Sequence, residues 1–508
     1  MAFTLYQRGL SALFCILLVS GCVSTNPATG KQHLSFVSEE REYEIGQEVY
    51  GDIVKSRGGM YKESKKLTKY INERLSDIVK VSERSEKPFK MTILDEDIFN
   101  AAAIPGYIFI SRGILPFLHN EAQLVSILGH EVGHVTALHT ARKQTSQTIA
   151  ALGQTLLGAY INYNGGVPLG NEIMQVTDVA TNYLFANYSR AYEEEADKLA
   201  VRYLLRLKYD PYAASDSFSV MDKHSQHTEN LYKQAGIDIN RSIFHRLLST
   251  HPEDKKRIRD TMEEAAKKGR KSHLVHRDRY LKAIDGMVFG PKLKDYGVAK
   301  KNIFIHPKHR FSFYIPDGYV TPQTEGLPTA FNPKNSRVLS YNVKAVPEDE
   351  DAEESLIYTY KKIHNISPIQ LGDIEGYTGV LIGTDKKTRR KIKSRIIGFK
   401  GKHPLKGEKQ EGKTGFYSLV FLAPEKNFQE ADKEFMKIAK SIKLLTKTEA
   451  KQITPLRLHV YTTKENDTQE LLATKMGFST DRLKWFHLIN DIPPTGKLFK
   501  GMRLKLIY

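Results

Sequence analysis

The sequence predicts a multidomain chain: a mainly α first half with a small edge sheet, then an α+β domain, then a small strand–helix–helix–strand module. Three observations carry this reading. At 508 residues the chain is too long for one hydrophobic core and suggests about three domains. Apolar residues recur at helical three-and-four spacing through the first half, then change near residue 300 to short alternating runs. A last segment beginning at Leu456 has strand and helix signals of its own. A composition of 40% hydrophobic and 26% charged residues excludes a disordered chain and a multi-span membrane protein. Only Cys15 and Cys22 occur, which excludes a disulfide-stapled scaffold and a cysteine-based metal site.

The N-terminus has one basic side chain, Arg8, followed by an apolar run from Leu10 to Val19 and then Ser20-Gly21. This pattern reads as a secretory signal over residues 1–21. The run is shorter than the roughly 20 apolar residues that span a bilayer. Val19-Ser20-Gly21-Cys22 resembles a bacterial lipobox, which implies lipidation of Cys22 and a lipid-anchored tether over residues 22–37. Valine at position 23, where aspartate would retain the protein at the inner membrane, implies the periplasmic face of the outer membrane. Loss of Arg8 with the signal leaves a formal charge of +17, reduced from +18. Beside such an anchor, that basic excess points to anionic lipid or cell wall and to no nucleic-acid partner.

The elements follow in order. Ser38 is an N-cap candidate, with Glu39, Glu40 and Glu42 in the first helical turn; Arg41 at the third position rules out a capping box. Leu67, Ile71, Leu75, Ile78 and Val79 predict a helix over 63–82. Residues 89–95 and 107–111 read as strands around a Pro105-Gly106 turn. Helices then run from about 120 to 266, broken at Asn164-Gly165-Gly166 and at Asp210-Pro211. The small-residue segment 145–186 is expected in the core or as a cover over the active site rather than as a membrane hairpin, because Gln154, Asn162, Asn164 and Gly165 interrupt it. The α+β domain, 300–445, is expected to use strands at Phe311–Ile315, Arg337–Val346, Tyr377–Ile382, Arg395–Gly398 and Gly415–Ala423, then a helix over 428–443. The module at 456–508 resembles LysM, a module type that often binds N-acetylglucosamine glycans such as peptidoglycan.

His130-Glu131-Val132-Gly133-His134 carries the strongest chemical signal. On a helix the two histidines lie one turn apart on the same face, so both imidazoles reach one ion. Glu131 is placed to act as general base toward a metal-activated water. Gly133 is expected to leave space beside the metal. A metzincin-type third ligand is excluded, because Ala137 and Thr140 stand where that type needs Gly and His. His139 lies about 140° around a continuous helix from His134 and is expected to be a surface or hydrogen-bonding residue. The better source of a third ligand is Tyr192-Glu193-Glu194-Glu195-Ala196-Asp197, where Glu193 and Asp197 are again one turn apart. Spacing alone leaves open both a ligand with its supporting carboxylate and a solvated acidic helix face.

His-Glu-Val-Gly-His at 130–134 followed by Glu-Glu-Glu-Ala-Asp at 193–197 resembles peptidase family M48, the group of HtpX-like and BepA-like metallopeptidases. The resemblance implies a zincin-type (gluzincin) fold over 38–285 and one Zn2+ per chain. His130, His134 and Glu193 would be the ligands, Glu131 the catalytic base and Asp197 the carboxylate behind a ligand. The segment from Asn100 and Ala101 to Tyr107 and Ile108 is similar to the family's strand along the active-site cleft, and the strand near 107–111 is the expected pairing partner for an extended substrate. This chain has one glycine after Pro105 where family members often have two. Thr250-His251-Pro252 with Arg257-Ile258 also matches, and implies that His251 gates the site or assists the transition state. A loop histidine supporting a turn is the alternative.

The implied function is zinc-dependent endopeptidase action, at the cell envelope, on unfolded or misassembled proteins. The expected partners beyond substrate are the bacterial membrane, through the anchor, and peptidoglycan or the outer-membrane assembly machinery. Two other classes remain: a chaperone or assembly factor with a mostly closed zinc site, and a peptidoglycan-bound adaptor.

Overall fold

The computed structural model describes residues 23–163, 188–236, 255–269, 274–322, 328–384, 391–404, 413–478 and 480–508. Its contacts divide the chain into two units, one of Met1–Asp222 with Phe244–Ala283 and the other of Lys223–Ile243 with Ile284–Tyr508.

Unit one begins with a hairpin, β1 (Val23–Thr25) and β2 (Gln32–Leu34), where the sequence suggested a tether. Asn26 is buried in its loop, and Arg202 fastens the loop by donating to the Ala28 carbonyl at 3.1 Å. α1 (Glu39–Ser56) starts at Ser38, whose hydroxyl accepts from the Arg41 amide at 3.2 Å, with three acidic residues facing the positive end of the helix dipole. α2 (Lys65–Val81) buries the apolar stripe Leu67, Ile71, Leu75 and Ile78. β3 (Lys90–Leu94), β4 (Ala101–Ile104) and β5 (Tyr107–Ser111) form a sheet in the order β3-β5-β4. β3 runs parallel to β5, and β4 antiparallel to it. Ile104 and Tyr107 are paired, so Pro105-Gly106 closes the β4–β5 turn; Gly106 has φ 81°, which a residue without Cβ adopts without strain.

α3 (Glu121–Thr136) is buried on every side. Glu121, at its first position, accepts from Tyr70, Tyr209 and Arg279 and pairs with Arg74, tying α3 to α2 and to the segments around them. α4 (His139–Tyr163), α5 (Arg190–Arg206), α6 (Ala213–Gln234), α7 (Lys255–Lys268) and α8 (Arg277–Ile284) follow, and the unit boundary falls within α6. No described helix is long and apolar enough to cross a membrane, and residues 164–187 of the small-residue segment lie outside the described residues.

Unit two contains a four-stranded sheet of β7 (Val298–Lys300), β8 (Ile303–His306), β9 (Phe311–Tyr314) and β16 (Lys443–Leu444), in the order β16-β9-β8-β7. A six-stranded antiparallel sheet orders β10 (Ala330–Asn332), β11 (Arg337–Pro347), β15 (Lys413–Pro424), β14 (Lys391–Pro404), β13 (Ile374–Thr384) and β12 (His364–Leu371). The helix Phe428–Lys440 buries Ala431, Phe435 and Ile438 in one core with Phe311, Phe313, Leu419 and Phe421. The C-terminal segment has the expected order of strand (Leu456–Thr462), helix (Gln469–Thr474), helix (Arg482–Asn490) and strand (Arg503–Ile507). Its first strand also pairs with the short strand β6 (Val288–Phe289).

His306 is fully buried and stacks on His309 with ring centroids 4.0 Å apart. Its Nδ1 accepts from the His309 amide at 3.3 Å, and its Nε2 lies 3.4 Å from the Asp295 carbonyl. The neutral ring satisfies both contacts; a second proton would sit against an N–H. Burial, reinforced by the neighbouring His309, pushes its pKa down to about 3. Between the ordinary histidine range and that value the unfolded chain binds more protons, so this stability is present near neutrality and lost as pH falls. At pH 4.5 we expect His306→Leu to escape a penalty on the order of 2 kcal/mol that acid imposes on the wild type. Urea melts followed through the sole tryptophan, Trp485, at pH 7 and 4.5 check this; identical pH dependence of the two proteins would contradict it.

Candidate metal centre

The site is built from two helices and closed by a third. The Asn120 side chain caps α3 by accepting from the Gln123 amide at 3.0 Å, and Ser189 caps α5 by accepting from the Tyr192 amide at 3.3 Å. The helical period sets His130 and His134 one turn apart, so that their Nε2 atoms face each other at 3.0 Å. Glu193, in the first turn of α5, brings Oε2 to 3.4 Å from His130 Nε2 and Oε1 to 3.5 Å from His134 Nε2. All three side chains are buried, and their ligand atoms lie within 4.8 Å of one another.

Glycines make this approach possible. A Cβ on Gly129 would lie 3.5 Å from Ala200 Cα, and one on Gly133 would lie 3.2 Å from Leu199 Cβ and 3.3 Å from the Ala196 carbonyl. Gly133 therefore faces α5 and lets it come close, where the sequence reading had it clearing space beside a metal.

Asp197 stands one turn beyond Glu193, with Oδ1 2.9 Å from His130 Nδ1. With a metal on Nε2, that contact would keep the single ring proton on Nδ1, toward Asp197. Arg257 of α7 closes the arrangement. Its Nε donates to Asp197 Oδ2 at 3.0 Å, its Nη2 to Asp197 Oδ1 at 2.8 Å, and its Nη1 lies 3.0 Å from Glu193 Oε2. Burial would raise the Asp197 pKa, but the Arg257 charge and the His130 contact outweigh it and hold the carboxyl ionised. For His130, burial lowers the pKa while Asp197 and Glu193 raise it, to about 10. The pocket is thus charged to receive a cation, and two imidazole nitrogens with one carboxylate oxygen suit a zinc-like divalent ion.

The family model described as Peptidase family M48 matches residues 65–265. Among curated relatives, the mitochondrial metalloendopeptidase OMA1 of Schizosaccharomyces pombe is 27% identical over 46% of this chain and 64% of its own length. The beta-barrel assembly-enhancing protease of Escherichia coli K12 is 28% identical over 29% of this chain and 31% of its own length. This chain thus spans less than two thirds of each. Among solved structures, LpqN of Mycobacterium tuberculosis aligns over 27% of this chain and 83% of its own, at 11% identity and a TM-score of 0.21.

Within the region matched to M48, three details differ from what the sequence suggested. α3 and α4 are not one helix: Leu138, at φ 57°, turns the chain between them. His139 is therefore fully buried rather than 140° away, with its Nδ1 2.8 Å from His134 Nδ1. It joins no ligand cluster among the described residues. The expected substrate strand is also revised. β5, with Tyr107 and Ile108, has both edges taken by β3 and β4, and Tyr107 stacks on Tyr50 at 4.5 Å. Of the two outer strands, β3 is met at its outer edge by Met60 and Tyr61, whereas β4, which begins at Ala101 directly after the buried Asn100, has no second strand beside it among the described residues. Finally, Arg257 is the functional residue whose role sequence reasoning missed; its place a few residues after His251-Pro252 was the available signal.

Glu131 is buried on α3 beside His130. Burial, with the Glu131 charge nearby, keeps the Tyr188 phenol protonated well above its usual range. The Tyr188 ring stacks on His134 at 4.2 Å. Cys22 and His251 lie outside the described residues.

Arg257→Leu would leave Asp197 and Glu193 buried without their cation. We expect it to cost about 3 kcal/mol of stability in metal-free protein and less after zinc is added, because the ion takes over part of the charge balance. Urea melts with and without chelator measure this; an equal cost in both states would contradict the electrostatic role.

Proposed function

We propose that this chain is a zinc-dependent metalloendopeptidase of the bacterial cell envelope, anchored by lipid at Cys22, that hydrolyses peptide bonds of misfolded or misassembled envelope proteins. The observation that carries the reading is the convergence of His130 Nε2, His134 Nε2 and the Glu193 carboxylate, with Glu131 next to the first ligand on the same helix. The names of the relatives, metalloendopeptidases and a beta-barrel assembly-enhancing protease, support the reaction class and the setting.

Bound between these residues, zinc supplies Lewis acidity toward the scissile carbonyl and makes water a better nucleophile near neutral pH. The protein's own groups do the rest. Asp197 and Arg257 hold His130 and Glu193 in their ligating orientations. The Glu131 carboxylate accepts a proton from the attacking water as the new C–O bond forms and the carbonyl π bond opens, then returns it to the amine nitrogen, so that the tetrahedral adduct collapses with breakage of the C–N bond. Among the described residues β4 has no strand on its outer side, and that edge would align an extended peptide by strand addition. A compact protein does not present such a strand, so the reading favours unfolded chains. The C-terminal strand–helix–helix–strand segment is read as a peptidoglycan contact that keeps the enzyme at the wall.

Glu131→Gln removes the base and leaves the ligands in place. It is expected to bind zinc as the wild type does and to lose casein cleavage by at least about 100-fold. Metal content by mass spectrometry and a chelator-controlled digestion check the two halves; undiminished proteolysis by this variant would refute the assignment.

A further inference from the structure

Behind His134 lies a line of polar contacts that the proposed reaction does not use. His134 Nδ1 is 2.8 Å from His139 Nδ1. His139 Nε2 is in turn 3.2 Å from Glu195 Oε2. Glu195 is held by Arg142 Nη1, donating to Oε2 at 2.9 Å, and by Asn26 Nδ2, donating to Oε1 at 2.7 Å. The His139 ring is fully buried and stacked on Tyr192, with centroids 4.5 Å apart and planes 9° from parallel. Its orientation is fixed by that packing.

The protons along this line can be arranged in only one way if His134 is to bind a metal. A ligating Nε2 must be bare, so the ring proton of His134 sits on Nδ1 and is donated to His139 Nδ1. His139 must then carry its own proton on Nε2, which faces the Glu195 carboxylate, an acceptor and never a donor when ionised. Glu195 therefore selects the tautomer of His139, and His139 selects the tautomer and ring angle of His134.

We propose that Glu195 and His139 are positioning residues that set His134 as a metal ligand, with Asn26 of the N-terminal hairpin and Arg142 fixing Glu195 in place. The inference rests on the metal-centre reading given above. It makes the β1–β2 hairpin, which starts at the residue after Cys22 and carries Asn26 in its loop, part of the support of the metal site.

The test is zinc affinity of the full chain, measured by competition with a chromophoric chelator, together with the visible spectrum of the cobalt-substituted protein. His139→Leu removes the acceptor opposite His134 Nδ1 and should weaken zinc binding about 10- to 100-fold, the range typical of partners behind a ligand histidine. His139→Asn places a carbonyl oxygen close to the former Nδ1 position, and should recover most of that affinity and the wild-type cobalt spectrum. Mere packing would favour the apolar replacement instead. Glu195→Ala, at a partly exposed position, serves if His139→Leu does not fold; it should weaken zinc binding about tenfold. Wild-type affinity in the His139→Leu or Glu195→Ala protein, or equal loss in His139→Leu and His139→Asn, overturns the proposal while leaving the metal centre standing. A wild-type chain that binds no zinc overturns both.

Discussion

Gly129 and Gly133 put no side chain between α3 and α5, and from that bare stripe the rest of the site follows. Two helices in such close contact place a histidine pair on one opposite a carboxylate on the other, with ligand atoms within 4.8 Å. A Cβ on Gly133 would press on Leu199 and Ala196 by a few tenths of an ångström, while one on Gly129 would just reach contact with Ala200 and Tyr203, so the helices are already as close as bare backbone allows at Gly133. α3 can serve as the foundation because it is buried throughout, and because Glu121 at its start gathers Tyr70, Tyr209 and Arg279 around the helix end. His130 and His134 sit in the second half of α3, about two and a half to three and a half turns beyond Glu121.

Burying two carboxylates and two imidazoles together is costly unless their charges are balanced. Arg257 supplies one positive charge, in forked contact with Asp197 and reaching Glu193. Asp197 and Glu193 bring two negative charges against the single positive charge of Arg257, so the pocket has room for more positive charge than Arg257 alone provides. A divalent ion meets that need. The same logic extends behind His134, where Glu195 is itself balanced by Arg142. His130 and His134 are thus each backed by a carboxylate, Asp197 directly and Glu195 through His139.

Much of this was legible in the sequence, for reasons that can be named. Helical spacing is rigid, so His130 and His134, or Glu193 and Asp197, could be placed on shared faces without knowing the fold. The cap at Ser38 and the alternating runs that became β9, β11 and β13–β15 are local signals of the same kind. What was not legible depends on contacts distant in sequence or on exceptions to local rules. The break at Leu138 uses a left-handed conformation at a leucine, where no glycine announces it, and this alone brought His139 from a presumed surface to the back of His134. The pairing of β5 on both edges, which leaves β3 and β4 as the outer strands, is a property of the sheet and not of either strand. β12 escaped notice because it is an edge strand with few buried residues and a proline at position 368, where no ladder partner is needed on one side. The hairpin at 23–34 read as a tether because its composition is polar; Asn26 and Ala28 are held there by Glu195 and Arg202 from far along the chain.

The central claim is that His130, His134 and Glu193 hold one metal ion. Crystals of the zinc-loaded chain, measured on both sides of the zinc absorption edge, test it without reference to activity. The account predicts one strong anomalous peak within bonding distance, about 2.0–2.2 Å, of both Nε2 atoms and a Glu193 oxygen. Loaded crystals with no peak there, or with the metal held by other residues while these three contact one another, would contradict it.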